Sequence, residues 1–371
     1  MIRGPNSLPP PLTPPRKGEG DTETVTPPSP LRGGVRGGGL FRRALALLGL
    51  FLALASPAIP QSTVETMEIR TRPITNFRIG SSETRFGPLE FIGGLEMNST
   101  GRNFGSLSAF RFLKPGSDFI GVADTGFWFF GSIQHDGKGR PSAVTGFTMQ
   151  EMVDKAGKVI GEKWETDAEG LAIDGGTAIA SFERRHRISE YKIAPGAMTG
   201  PVKDLDFVVP GKELRQNRGF ETLTHAHPHG IHEGALIAVS EKSLDKDGNI
   251  FAAILGGPEK GVFKVKRNGE FDITDGAFLP NGDLLLLERS FSMARGVAMR
   301  LRRIYGESIR KGELADGPVL LEANMAYQID NMEGLDIWRR SDGALIVSLI
   351  SDDNHSILQR NLYLEFRLLE E

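Results

Sequence analysis

Glu169-Gly-Leu-Ala-Ile-Asp-Gly-Gly-Thr-Ala-Ile-Ala-Ser-Phe-Glu183-Arg184 reads as an acid, a short apolar run, a glycine turn, a second apolar run and a closing acid followed by a cation. The pattern returns as Phe220-Glu221-Thr-Leu-Thr, ending in Ile237-Ala-Val-Ser-Glu241-Lys242. A third copy runs Asp275-Gly-Ala-Phe-Leu-Pro-Asn-Gly-Asp-Leu-Leu-Leu-Leu-Glu288-Arg289, and a fourth runs from Glu333-Gly-Leu-Asp to Ser351-Asp352-Asp353-Asn354. The opening acids are spaced by 52, 54 and 58 residues. A strand-turn-strand unit at that period is the sequence mark of a propeller blade. A propeller points equivalent positions of every blade at one axis, so acids far apart in sequence are expected to converge.

The rest of the chain from Thr63 agrees with an all-β reading. Short apolar runs such as Phe119–Ala123, Ile188–Ile193, Gly261–Val265, Met299–Ile304 and Leu345–Ile350 alternate with turn signals such as Asp174-Gly-Gly, Asp247-Gly-Asn and Pro280-Asn-Gly-Asp. No long helical period interrupts them. About 310 residues divided by a repeat of roughly 52 predicts six blades, with seven as the alternative. Phe91-Ile-Gly-Gly-Leu-Glu96 is expected to open one unit that Val122-Ala-Asp124 closes, and the 73 residues from Glu96 to Glu169 then hold an insertion or a degenerate blade. Leu362–Leu368 is expected to close the ring on a strand near Thr66–Thr71. Residues 63–371 are read as a single domain, and the protein as a monomer.

Residues 1–39 are rich in Pro, Gly, Arg and Thr and are expected to be a disordered leader, with translation starting in fact near Val35 or Leu40. Phe41-Arg42-Arg43, the apolar run Ala44–Ala55 and Ser56-Pro57-Ala58 form a basic, an apolar and a small-residue region in order. That predicts a signal peptide over 40–58, cut after Ala58, and a periplasmic or secreted protein. The run is shorter than the roughly 20 residues of a membrane span, so no stable span is expected after cleavage; an uncleaved anchor is the alternative.

The 371 residues include no cysteine, which excludes disulfides, thiolate metal sites and a cysteine nucleophile. A net charge of -3 gives no basic surface for nucleic acid. No Gly-x-Ser-x-Gly elbow, phosphate-binding loop or His-Glu-x-x-His helix is present. The single Asp124-Thr-Gly lacks the second copy that an aspartic protease needs.

The chemistry therefore rests on the acids. Asp124, Glu183, Glu241, Glu288 and Asp352/Asp353 close strands and are expected to hold a metal; Arg184, Lys242 and Arg289 follow three of them and are expected to bind substrate. Carboxylates that face one axis repel, and a divalent cation or adjacent Arg and Lys relieves the cost. Ca²⁺ suits such clustered oxygens, and Arg gives bidentate hold on an anionic group. Glu169, Glu221 and Glu333 are read as the more axial, catalytic set, as ligands or bases, with His355 beside Asp353-Asn354 as an acid–base candidate. Any one of these acids can instead hydrogen-bond a neighbouring blade. The histidines of Thr224-His225-Ala-His227-Pro-His229-Gly-Ile-His232 sit in a turn marked by Pro228 and Gly230, which argues against zinc.

Ala123-Asp124-Thr-Gly, Glu169-Gly-Leu-Ala, Ser181-Phe-Glu-Arg-x-His-Arg-Ile-x-x-Tyr191, Asn217-x-Gly-Phe-Glu221, Ile273-Thr-Asp-Gly-Ala-Phe-Leu-Pro-Asn-Gly-Asp, Leu287-Glu-Arg and Glu333-Gly-Leu-Asp…Ile350-Ser-Asp-Asp-Asn354 together resemble the phytase-like family known as "esterase-like activity of phytase". The resemblance spans roughly Phe77 to Phe366. It implies an exported bacterial β-propeller with a hydrolase label. The expectation is a hydrolase that acts on an ester or phosphoester, using Ca²⁺ in the funnel and a small anionic or ester substrate. A non-catalytic binding propeller and a lactonase-like propeller are the alternatives.

Overall fold

The computed structural model describes residues 62–369. The leader and the signal peptide expected over 1–58 lie outside these residues. The described chain is almost all strand. Its one α-helix is the single turn Lys163–Thr166, and no described helix is long and apolar enough to cross a membrane.

The strands form five sheets, each built almost wholly of antiparallel neighbours. Leu107–Phe112, Ala168–Asp174, Phe220–His225, Asp272–Phe278 and Asn331–Arg339 each form one edge of their sheet. Each packs beside the next, and the last packs beside the first, so the five close a ring. The sheets radiate from it as propeller blades. This geometry explains why the central strands are apolar runs rather than alternating ones. A radial sheet is covered on both faces by neighbouring blades, so both sides of Leu284–Leu287 and of Leu345–Ile350 are buried. Apolar clusters accordingly lie between blades: Leu285, Leu287, Met299 and Leu301 of the fourth blade pack with Leu335, Leu349 and Leu364 of the fifth.

Five blades replace the six predicted. The 73-residue interval, expected to hold an insertion or a degenerate blade, holds one complete blade with long outer strands, Phe127–His135 and Pro141–Glu151. Phe91–Glu96 opens nothing: it belongs to Leu89–Asn98, which pairs antiparallel with Leu362–Leu368 and so completes the last blade. The ring therefore closes on a strand further along than Thr66–Thr71. Residues flanking that stretch are divided: Val64–Thr66 pairs with Thr148–Gln150 of the first blade, while Arg70–Ile74 adds to Leu89–Asn98 in the fifth. The N-terminal segment thus ties the first blade to the last.

Candidate functional site

In every blade the innermost strand slips register against its neighbour at the same level. Ser108 is the extra residue between Leu107↔Ala123 and Ala109↔Val122. Glu169-Gly170 bulge between Ala168↔Phe182 and Leu171↔Ala180. Glu221, Thr274 and Glu333 are the extra residues of the other three blades. A bulge kinks the strand and re-aims its side chain, so five bulges share one level at one end of the ring. The repeated opening acids of the sequence are thus these bulges, except in the fourth blade, where Thr274 takes the position and Asp275 is one residue past it.

The second strands supply an outer tier. Asp124, Glu183, Glu241 and Asp352 directly follow Ala123, Phe182, Ser240 and Ser351, whose partners Leu107, Ala168, Phe220 and Met332 immediately precede the bulges. The corresponding residue in the fourth blade is Arg289, because Glu288 itself pairs with Ile273. One cation therefore stands in a tier of acids. Arg289 lies 3.2 Å from Glu333 and 3.7 Å from Glu241. Burial opposes its charge, but Glu333, Glu241, Glu221 and Asp272 outweigh that and hold its pKa above the ordinary value.

The acids interact as one set. Burial first, then Glu183, Asp167, Asp124 and Glu333, push the Glu169 carboxyl well above its usual range. Burial and then Glu169, Glu183, Glu241 and Glu333 do the same to Glu221. Glu183 is pushed up to about 8 by burial and by Glu241 and Asp167, against a hydrogen bond from the Gly219 N–H and the charge of Arg218. Burial raises Asp352 to about 8 with help from Glu333, and Glu333 to about 7 against the opposing charge of Arg289. Like charges gathered in a poorly solvated space produce such shifts.

Partners fall unevenly on this set. Arg184 pairs with Asp167 at 2.5 Å, Arg218 with Glu241 at 3.2 Å and Lys163 of the helical turn with Asp124 at 2.9 Å. Asn331 donates to Glu333 at 2.7 Å. Glu221 is only 8% exposed, yet among the described residues its carboxylate has neither a hydrogen bond nor an ion pair. One oxygen from each of Glu183, Glu221 and Glu241 falls within 4.8 Å of the others, and the same holds for Asp167, Glu169 and Glu183. Carboxylate oxygens at this separation fit a hard, oxygen-liganded cation such as Ca²⁺, whose bonds run about 2.3–2.6 Å. The partnerless Glu221 is the test of that fit: a buried carboxylate without a donor needs a cation or a proton.

Other residues singled out in the sequence lie elsewhere. Glu288 is buried away from the cluster and is held by Arg300 and by Arg302, the latter at 2.5 Å. Its alternation along the strand turns it from the funnel, which removes it from the expected metal set. Lys242 is spent on Asp272 at 2.6 Å. Asp353 accepts the His355 N–H at 3.1 Å within its own loop and its charge adds to the upward push on neighbouring Asp352, while His355 is exposed there with a φ of 49°. The histidine run begins at the far end of Phe220–His225, at the opposite end of the strand from Glu221.

Sequence reasoning missed the floor of the funnel. The Arg111 guanidinium binds both oxygens of Asp275 at 2.7 Å, and it donates to the carbonyls of Phe110 at 2.7 Å, Leu335 at 2.8 Å and Leu223 at 2.9 Å. Those carbonyls belong to innermost strands, whose inward edges have no further strand to pair with. One arginine satisfies several edges at once and fills the axis. A lone Arg inside the apolar run Ala109-Phe-Arg-Phe was the available signal, since such a residue is tolerated only with partners. Asp167, Arg218 and Lys163 were also missed; they lie in the connections between strands, whose course the repeat does not report.

Similar solved structures include the glutaminyl cyclase of Myxococcus xanthus, at 9% identity and a TM-score of 0.38 over 84% of this chain and 99% of that one. The endo-arabinase of Bacteroides thetaiotaomicron matches at 12% and 0.43 over 72% and 94%. The PQQ-bound aldose sugar dehydrogenase of Streptomyces coelicolor matches at 12% and 0.40 over 76% and 99%. Among curated proteins none matches. Residues 102–355, which contain all five innermost strands and both tiers of the funnel, match the phytase-like family described as "esterase-like activity of phytase", and the chain belongs to that family.

Proposed function

We propose that this propeller is an exported hydrolase that cleaves an ester or phosphoester in its central funnel with the help of a bound Ca²⁺. The observation that carries the reading is the set Glu183, Glu221 and Glu241, three carboxylates from two adjacent blades within 4.8 Å, with Glu221 buried and partnerless. These three would hold the cation. Bound there, it would polarise the scissile group and make a coordinated water more acidic.

The chain's own residues account for the remaining roles. Arg289 is the cation of the outer tier and is suited to bind an anionic oxygen of the substrate. Glu333, across Arg289 from Glu241, titrates near neutrality at about 7. That is the range in which a carboxyl gives and takes a proton efficiently. Asp352 beside it is raised to about 8 and is the companion proton store. The Arg111–Asp275 floor keeps the funnel blind, so substrate enters and leaves by one mouth.

The test is calorimetry of chelator-stripped protein with Ca²⁺, followed by assay against p-nitrophenyl esters, phosphoesters and lactones. Ca²⁺ binding with Ca²⁺-dependent turnover of an ester or phosphoester is expected, and Glu221→Gln should lose the ion held by Glu183, Glu221 and Glu241 and the turnover with it. A folded protein that takes up no Ca²⁺ and hydrolyses none of the panel would return the acids to a structural role.

A further inference from the structure

The geometry points to two divalent cations in the funnel, bridged by Glu183. This rests on the metal-assisted reading above and deepens it. The two carboxylate sets share one member: Glu183 lies within 4.8 Å of Glu221 and Glu241 on one side and of Asp167 and Glu169 on the other. The sets do not merge into one group, so a single ion reached by Glu221 and Glu241 is not also ringed by Asp167 and Glu169. A carboxylate has lone pairs enough to serve both sides while it accepts the Gly219 N–H. Two ions that share such a ligand stand about 3.5–4 Å apart, the spacing at which a pair can grip both the attacking and the leaving oxygen.

The distribution of partners supports the same count. The nearby cations are already engaged on the periphery, Arg184 with Asp167, Arg218 with Glu241 and Lys163 with Asp124. Among the described residues none forms an ion pair with Glu169, Glu183 or Glu221. These three members lie at the middle of the set, and Glu221 is the buried, partnerless one. Glu169 belongs to one subsite, Glu221 to the other and Glu183 to both. A single divalent ion on either side leaves one partnerless carboxylate beside the bridge unanswered.

Mn²⁺ is the probe, because a bridged pair of Mn²⁺ ions is exchange-coupled and its electron paramagnetic resonance spectrum differs from that of isolated ions. The full chain, stripped by chelator, should take up two equivalents of Mn²⁺ and give the coupled spectrum, with two equivalents of Ca²⁺ by native mass spectrometry. Glu221→Gln and Glu169→Gln should each retain one equivalent and show only isolated-ion signals, and Glu183→Gln should lose the coupling. These isosteric changes remove repelling charge, and a thermal melt verifies that each variant is folded. One equivalent in the wild type, or two without coupling, overturns the bridged pair and leaves the single-ion hydrolase standing. No uptake at all removes both.

Discussion

Asp352→Asn offers a direct reading of how much stability the gathered carboxylates cost. Asp352 is 5% exposed and its pKa rises from 3.8 to about 8, chiefly by burial and then by Glu333. The sign follows from linkage. The unfolded carboxyl ionises near 3.8 while the folded one keeps its proton up to about 8. Its contribution is therefore most favourable below pH 4, is lost as pH rises through that window, and is flat above it. Within the window each pH unit removes about 1.4 kcal/mol for one such proton. Between pH 5 and 7 the wild type should lose about 3 kcal/mol from this residue, a large part of a typical 5–15 kcal/mol total. Asparagine cannot ionise, and its side-chain oxygen can still accept the Asn354 N–H that Asp352 takes at 2.8 Å. Urea unfolding of both proteins in EDTA at pH 5, 6 and 7 gives the comparison. The variant should gain on the wild type by about 1.4 kcal/mol per unit; groups such as His186, whose lowered pKa tilts both curves the other way, cancel in the difference. A difference that stays flat from pH 5 to 7 would refute the argument that these acids are held in an unfavourable, poorly solvated set.

Glu288→Gln should cost about 3–5 kcal/mol in denaturant unfolding, because it strands the buried Arg300 and Arg302; Mn²⁺ uptake by the folded fraction should be unchanged, and reduced uptake would return Glu288 to the metal set. Arg111→Met leaves Asp275 charged and several strand-edge carbonyls unanswered, for a loss of about 3–5 kcal/mol. Adding Asp275→Asn should recover part of that loss, and strictly additive costs in a double-mutant cycle would show that the pair does not act as a unit. Gly121→Ala places a methyl 1.9 Å from the Phe129 ring that lies over it, and overpacking of that kind costs about 1–3 kcal/mol by urea unfolding; a neutral result would mean that the first blade repacks freely.

What the sequence could report was set by what the repeat constrains. Each blade needs an apolar second strand and a bulge at its inner edge, so Glu169, Glu221 and Glu333 stand at regular intervals and could be read without coordinates. The fourth blade breaks the reading because its bulge is Thr274. The neighbouring Asp275 mimicked the opening acid, although its oxygens are turned to Arg111. The same one-residue offset put Glu288 among the closing acids and hid that Arg289 occupies the tier. Strand alternation makes such an error consequential, since adjacent residues face opposite sides. The blade count failed for a different reason. Division by a period assumes that every unit begins and ends within its own repeat, whereas the last blade is assembled from both ends of the chain, Leu89–Asn98 and Leu362–Leu368. Asp167, Arg218 and Lys163 were invisible because they lie between strands, where the chain's path depends on what it packs against. They neutralise the periphery of the acid set and leave its middle bare. Only when the peripheral pairs are in place does Glu183 stand out as the residue common to both carboxylate sets, and that is a property of the assembled ring rather than of any one repeat.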